Sequence, residues 1–363
     1  MLIKKPILII VIALMFVSIT ICMLGCSGNR NKDEEYIDTE SDKVFDLTMP
    51  SGKAELIYPI LHLNEIKSLT FLGQVNPPGH TFPTDHIYFG PDYSKRNDIP
   101  IYAPASGRII YIEKYPDPLV DHTIRVAVTD TFTYYIMHFD LDDNYEVGDM
   151  VVAGSQIGVT GSSYYVDFGV YDKDVINYFI RPPVDGKAIH SGKPISYYPE
   201  FLRSQLYGLI KPWYDPDYIN TQGDGEFAVD KLGSLSGNWF MEGKDFSSWE
   251  NHLSFSNNVF YPELTTIGIG YADYTFIVIN NTVKPEDVTL ETGAVLYLFT
   301  DEGFLRKGGT IECENELLRE NELLQRGYLL VELLTDTRLR IELFDYGFDE
   351  PQNFTEKASF YVR

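Results

Sequence analysis

The sequence predicts a mostly β protein: an antiparallel β-sandwich or split barrel, a short helix acting as a linker, then a second β-rich barrel or sandwich. Three observations predict it. Over residues 56–194, short β-type runs such as Ile87, Tyr88 and Phe89 are separated by Gly, Pro and Asp turns, and helical periodicity is nearly absent. Over 195–213 the spacing changes: Tyr198, Phe201, Leu202, Leu206 and Leu209 recur at helical intervals, and Pro212 ends the run. From 227 to 363 strand-type runs return, seven or eight of them, enough for a small barrel or sandwich.

Residues 1–25 read as a secretion signal. Lys4 and Lys5 form a basic start, residues 7–21 are almost uninterruptedly apolar, and Leu24-Gly25-Cys26 fits a lipoprotein cleavage site at which Cys26 is lipidated. An uncleaved membrane anchor is the other reading. Either one places the bulk of the chain outside the cytoplasm at a membrane face. Residues 26–55 read as a flexible acidic tether, because the stretch from Asn29 to Lys43 is polar and lacks the apolar content to fold. The net charge is −24, and losing the two signal lysines leaves about −26, which disfavours nucleic acid and anionic lipid as partners. Of three cysteines, Cys22 leaves with the signal and Cys26 carries lipid. Cys313 is then alone, so stability must come from core burial, for which 44% apolar residues suffice.

Within 56–194, the stretch 147–163 is the most informative. Gly148-Asp149 is a turn pair between apolar runs, and Gly154, Gly158 and Gly161 permit positive φ or close backbone approach. It reads as a β-hairpin. Upstream, Pro100 to Ile112 with Gly107 at its turn reads as another strand–turn–strand unit. Residues 195–226 form the helix and a linker rich in Asp, Pro, Asn and Gly. In 227–363, the charged segment 312–326 is either a short helix or a strand pair. Gly237-Asn238-Trp239 resembles the G-x-W of lipocalin-like barrels, although a core tryptophan under a turn explains three residues equally well.

Together, the Pro100 segment and the glycine-spaced stretch resemble the M23 (LytM-type) zinc metallopeptidase domain, over about residues 79–172. The resemblance implies a zinc ion held by an H-x-x-x-D pair and by the second His of an H-x-H motif, with further histidines assisting as base and oxyanion stabiliser. It places His138 on the separate assisting His. Tyr165 falls on the first His of H-x-H and Asp167 on its ligand His. His86 falls on the ligand Asp and Phe82 on the remaining ligand His, with His80 two residues earlier. A mutual exchange at His86 and Asp167 keeps one imidazole and one carboxylate on an ion, both legitimate zinc ligands, and His80 or Asp85 would complete the set. Alternatively His86, Asp167 and His138 form a hydrogen-bonded ion-pair cluster in an inactivated site. Tyr165 is a poor general base near neutral pH, since a tyrosine titrates near 10.

Three functions follow as expectations. The first is an envelope lipoprotein that binds peptidoglycan peptides or a cell-wall enzyme, with weak or no hydrolysis. The second is an active zinc metalloendopeptidase that cleaves peptidoglycan cross-links. The third is a carrier in which the C-terminal β domain binds a ligand and the M23-like part is scaffold. His62, His122, His190 and His252 lie in polar or turn-like contexts and read as surface or structural residues. No nucleoside-phosphate, serine-hydrolase, C-x-x-C or EF-hand motif is present.

Overall fold

The computed structural model describes residues 43–363 except 78, 116–119, 183–185, 213–214, 216, 273, 279–282, 302–324 and 346–350. The signal, Cys26, the first part of the tether, Cys313 and most of segment 312–326 lie outside the described residues. Residues 43–363 form one compact unit. It is mostly β, with an antiparallel sheet followed by a closed barrel.

The sheet comprises β1 (Ile66–Leu69), β2 (Ile87–Pro91), β3 (Pro100–Tyr102), β4 (Gly107–Lys114), β5 (His122–Ala127), β6 (Phe132–Leu141), β7 (Met150–Val151), β8 (Gln156–Thr160) and β9 (Val166–Asp172). Its spatial order is β1-β2-β9-β6-β5-β4-β7, with β8 bridging β6 and β3. Side chains alternate between two faces. One face (Ile87, Phe89, Tyr134, Ile136, Phe168 and Val170) is the core. On the other, Tyr88, Asp167 and Met137 stand side by side in register across β2, β9 and β6.

The glycine-spaced stretch 147–163 is not a hairpin. Its two strands part company: β7 pairs with β4, and β8 pairs with β3 and β6. The 100–112 segment behaves likewise, with β3 on β8 and β4 on β5 and β7. Alternation within a run reveals a strand but not its partner. The glycines serve these crossings. A Cβ on Gly158 would lie 2.1 Å from the Asp140 carbonyl oxygen, so only glycine lets β6 and β8 close.

The expected flexible tether is corrected over residues 43–55. Val44 packs with Tyr135 and Tyr171, Met49 with Ile110 and Ala127, and buried Asp46 pairs with Arg108 at 2.9 Å. A few apolar side chains, each worth roughly 1.5–3 kcal/mol when fully buried, hold these residues against the sheet, although the run from Asn29 to Lys43 before them is polar. The expected linker is corrected too. The helix α1 (Glu200–Tyr207) is shorter than the periodicity suggested, starting after Pro199 and ending at Gly208. Leu202 and Leu206, one turn apart, are buried in the sheet's core, as are Ile195, Tyr198 and Ile210, whereas Phe201 is 80% exposed.

The barrel runs β10 (Gly237–Met241), β11 (His252–Asn257), β12 (Thr265–Ile269), β13 (Tyr274–Val278), β14 (Val295–Asp301), β15 (Gln325–Thr335), β16 (Arg338–Asp345) and β17 (Ser359–Val362). Each strand pairs with the next, and β17 closes on β10 through Phe240↔Val362 and Met241↔Tyr361. Closure leaves no edge strand. Trp239, Leu253, Phe255, Ile267, Ile269, Tyr297, Leu329, Val331, Leu339, Ile341 and Tyr361 form its buried core at essentially zero exposure, as suits an eight-stranded barrel just wide enough to be filled. Arg363 fastens one part of it. Its guanidinium lies 3.9 Å over the Trp239 ring and donates to the carbonyls of Ser236, Lys231 and Ser234. Arg363→Ala leaves those carbonyls short of a charged donor, and chemical denaturation should show a loss of roughly 2–4 kcal/mol. Among the described residues no helix is long and apolar enough to cross a membrane.

Candidate metal centre

His86 immediately precedes β2, so it shares a face with Tyr88 two residues on, and Tyr88 lies in register with Asp167. This brings His86 Nε2 to 3.3 Å from Asp167 Oδ2. His138 reaches the same oxygen by a different device. On β6, Met137 pairs with Thr123 and Phe139 with His122, so His138 is the extra residue of a β-bulge. Its φ of +66° is a left-handed conformation uncommon at a non-glycine residue. The bulge re-aims the imidazole to the face that carries Met137 and Asp167, with Nε2 at 3.4 Å from Asp167 Oδ2.

Each imidazole is held from behind by a carboxylate. Asp85 Oδ1 lies 3.1 Å from His86 Nδ1, and Asp121 Oδ2 lies 2.8 Å from His138 Nδ1. Such partners fix the tautomer and aim the other nitrogen, as outer-sphere carboxylates do around metals. His80 completes the group: ligand atoms of His80, His86 and Asp167 all lie within 4.8 Å of one another. The His80 ring packs edge-on against His86, with centroids 5.3 Å apart.

Of the residues singled out from the sequence, the structure therefore gathers His80, His86, Asp167 and His138. Asp85 is at the site but turned to support it: besides His86, it accepts from Ser191 Oγ at 2.5 Å and Tyr135 Oη at 3.3 Å. Tyr165 precedes β9 on the face of Asp167 and meets Tyr88 edge-on at 6.1 Å. Phe82 points away, stacked on His252 of the barrel at 4.2 Å. Asp121, Ser191 and Tyr135 were missed. Asp121 and Ser191 meet their partners only through the fold, 17 and 106 residues away, and carry no local motif.

The electrostatics follow from this geometry. Burial opposes charge on His86, but hydrogen bonds and charge from Asp167 and Asp85 prevail and push it up to about 9. For His138 the same contest, with Asp167 and Asp121 prevailing, ends at about 11. Burial raises Asp167, yet the two imidazoles hold it well below the usual carboxylate range. His80 is pushed down to about 4 by burial and by neighbouring His86, so it is neutral at pH 7. Burial and the charge on Asp167 raise Tyr88 far above its ordinary value.

Two polar atoms in the cluster bear on whether the residues fit an ion. Asp167 Oδ1 is buried without a hydrogen-bond partner, and buried His86 Nε2 has only the Asp167 Oδ2 contact at 3.3 Å, in residues only 1% and 5% exposed. The 3.3 Å between His86 Nε2 and Asp167 Oδ2 matches the edge of a tetrahedron whose centre lies about 2.0–2.1 Å from N and O ligands. Two imidazoles and a carboxylate are an ordinary zinc donor set. The residues fit.

No protein-family model matches the chain, and no curated protein matches it. Among solved structures it is similar over part of its length to Csd3 of Helicobacter pylori (17% identity, 33% of this chain and 32% of that chain, TM-score 0.26). It is also similar to the catalytic domain of the antimicrobial peptidase lysostaphin from Staphylococcus simulans (22%, 31% and 84%, TM-score 0.24). A third match is a zinc containing peptidase from Vibrio cholerae (15%, 36% and 37%, TM-score 0.23). The chain spans about a third of the length of the Csd3 structure.

Proposed function

We propose that the chain is a diverged M23-like envelope protein with a divalent metal, zinc by donor type, at His80, His86 and Asp167. We propose that it binds peptidoglycan peptides, or an enzyme of the wall, with weak or no hydrolysis. The observation that carries the metal is the convergence of His80, His86 and Asp167 ligand atoms within 4.8 Å, with Asp167 Oδ1 buried and without a hydrogen-bond partner and with His86 and His138 each oriented by its own carboxylate. Bound there, the ion supplies Lewis-acid polarisation of a peptide carbonyl. Asp85 keeps the His86 proton on Nδ1, leaving Nε2 as the donor atom. Asp121 does the same for His138.

The chain's own groups argue for slow chemistry. The position that the resemblance gives to a second assisting imidazole holds Tyr165, and loss of a positioned general base costs on the order of 10²–10⁴ in rate. His138 Nε2 is directed at Asp167. In the proposed reading Cys26 carries a lipid that holds the chain at the outer face of a membrane.

Full-length protein should co-sediment with insoluble peptidoglycan and leave its turbidity nearly unchanged, and Cys26→Ser should shift the chain from the detergent phase to the aqueous one. Rapid, chelator-sensitive clearing would replace this reading with the active endopeptidase. Failure to sediment with wall would overturn the binding claim.

A second reading has its own observation: Asp167 Oδ2 lies within 3.4 Å of both His86 Nε2 and His138 Nε2, as in an ion-pair cluster that needs no metal. Zinc content near zero, with no uptake on titration, would favour it. The carrier reading has less support, because described barrel-core side chains are fully buried against one another.

A further inference from the structure

We propose that the C-terminal barrel is part of the metal site: it anchors the loop that carries His80, with Phe82 as the positioning residue. The inference rests on the metal-binding reading above and goes beyond it in assigning the barrel a role at the site.

His86 and Asp167 are placed by paired strands, but His80 is not. It sits on a loop whose base is closed by Gly73 N donating to Thr84 O at 2.8 Å and Thr84 N donating to Gln74 O at 3.1 Å, and whose own bridge has Asn76 N donating to His80 O at 2.7 Å and His80 N donating to Asn76 O at 3.1 Å. The next residues are held by the outer surface of β10, β11 and β12. Ser254 Oγ on β11 donates to the Thr81 carbonyl at 2.5 Å. Directly beside Ser254 in register is Gly268 on β12, where a Cβ would lie 2.5 Å from that same carbonyl oxygen and 2.7 Å from Val75 Cγ1. Only a bare backbone there admits the loop.

Phe82 is the plug. Its ring stacks on His252 at 4.2 Å and 13°, and meets Phe240 edge-on at 5.2 Å. His252 and Phe240 are register partners on β11 and β10, and His252 Nε2 is fixed by the Phe246 carbonyl at 2.8 Å. Trp249 closes the other side, 3.7 Å from where a Cβ on Gly79 would stand. Residues 81 and 82 are thus held by the barrel, and Gly79, on the other side of His80, lies beside Trp249. The position that the sequence resemblance aligns with a ligand histidine carries the anchor, and the imidazole two residues earlier faces His86.

The test uses the detergent-solubilised full-length chain and three variants: Phe82→Ala removes the plug, Ser254→Ala removes the hydrogen bond, and Gly268→Ala pushes the loop away. Phe82→Tyr is the conservative control. Two measurements are made, zinc affinity by competition titration and the imidazole NMR signals of His80 in chelator-treated protein. In the wild type those signals should be displaced from free histidine by the nearby rings of His86 and Tyr88. The expected result is a roughly 10- to 100-fold loss of zinc affinity in the first three variants, the range typical of lost outer-sphere support. His80 signals should move toward free histidine while those of His138 hold, and Phe82→Tyr should restore both. Wild-type affinity and unmoved His80 signals in all three would overturn the anchoring. If the wild type takes up no zinc, the metal reading falls, and the His80 signals alone then uphold or overturn the anchor.

Discussion

Replacing His86 by Gln should leave the purified protein without zinc under conditions in which the wild type carries about one ion per chain. His86 Nε2 is buried and faces the Asp167 carboxylate at 3.3 Å, and a glutamine amide is a far weaker ligand than the imidazole it replaces. A structural zinc site is worth roughly 10–16 kcal/mol, which, shared among three or four ligands, puts the loss of one at about 10²- to 10³-fold or more in affinity. Asp85→Asn should cost less, about 10- to 100-fold, because it loosens the ligand without removing it. Both numbers come from metal-buffered titration, and equal, wild-type affinities for the two variants would place the ion elsewhere.

The second large effect belongs to Asp167 in metal-stripped protein. Asp167→Ala leaves the His86 and His138 imidazoles facing each other without the carboxylate between them. Breaking a buried pair by removing one partner costs about 3–5 kcal/mol. The pH dependence has a definite sign. Asp167 is depressed in the folded state, so its contribution is present above the unfolded value of about 3.9 and is lost as pH falls through the folded pKa. His86 and His138 are raised, so theirs is full below about 6.5, with the His86 share gone by about 9 and the His138 share by about 11. Urea denaturation of chelated wild type and variant should therefore differ most between about pH 4 and 6.5, and converge at the alkaline end. A difference independent of pH would mean that Asp167 acts through packing instead of charge.

Much of the architecture was legible in the residues because period-2 alternation reports burial directly. The barrel strands are an example: Leu339 and Ile341, or Leu253 and Phe255, face inward between more polar neighbours. Pairing was not legible. The glycines of 147–163 mark places where chains cross, yet nothing local says that β7 joins β4 while β8 joins β3 and β6. Residues 43–55 read as tether because they follow the polar stretch from Asn29 to Lys43, and a handful of contacts such as Val44 on Tyr135 decided otherwise. At the site, His86, Asp167 and His138 could be named because a motif with known spacing surrounds them. Asp121 could not, since only the β5–β6 pairing and the bulge at His138 bring it to Nδ1. Phe82 was placed by alignment at a ligand position, and the barrel that claims it lies some 160 residues further along the chain.

The central claim is that His80, His86 and Asp167 hold one divalent ion. Anomalous diffraction at the zinc absorption edge, from crystals of protein grown with zinc, tests it most directly. The predicted result is a single strong peak among the three side chains, about 2.0–2.2 Å from each ligand atom. A map with no peak there, or with zinc only at surface carboxylates while His86 stays against Asp167, would contradict it.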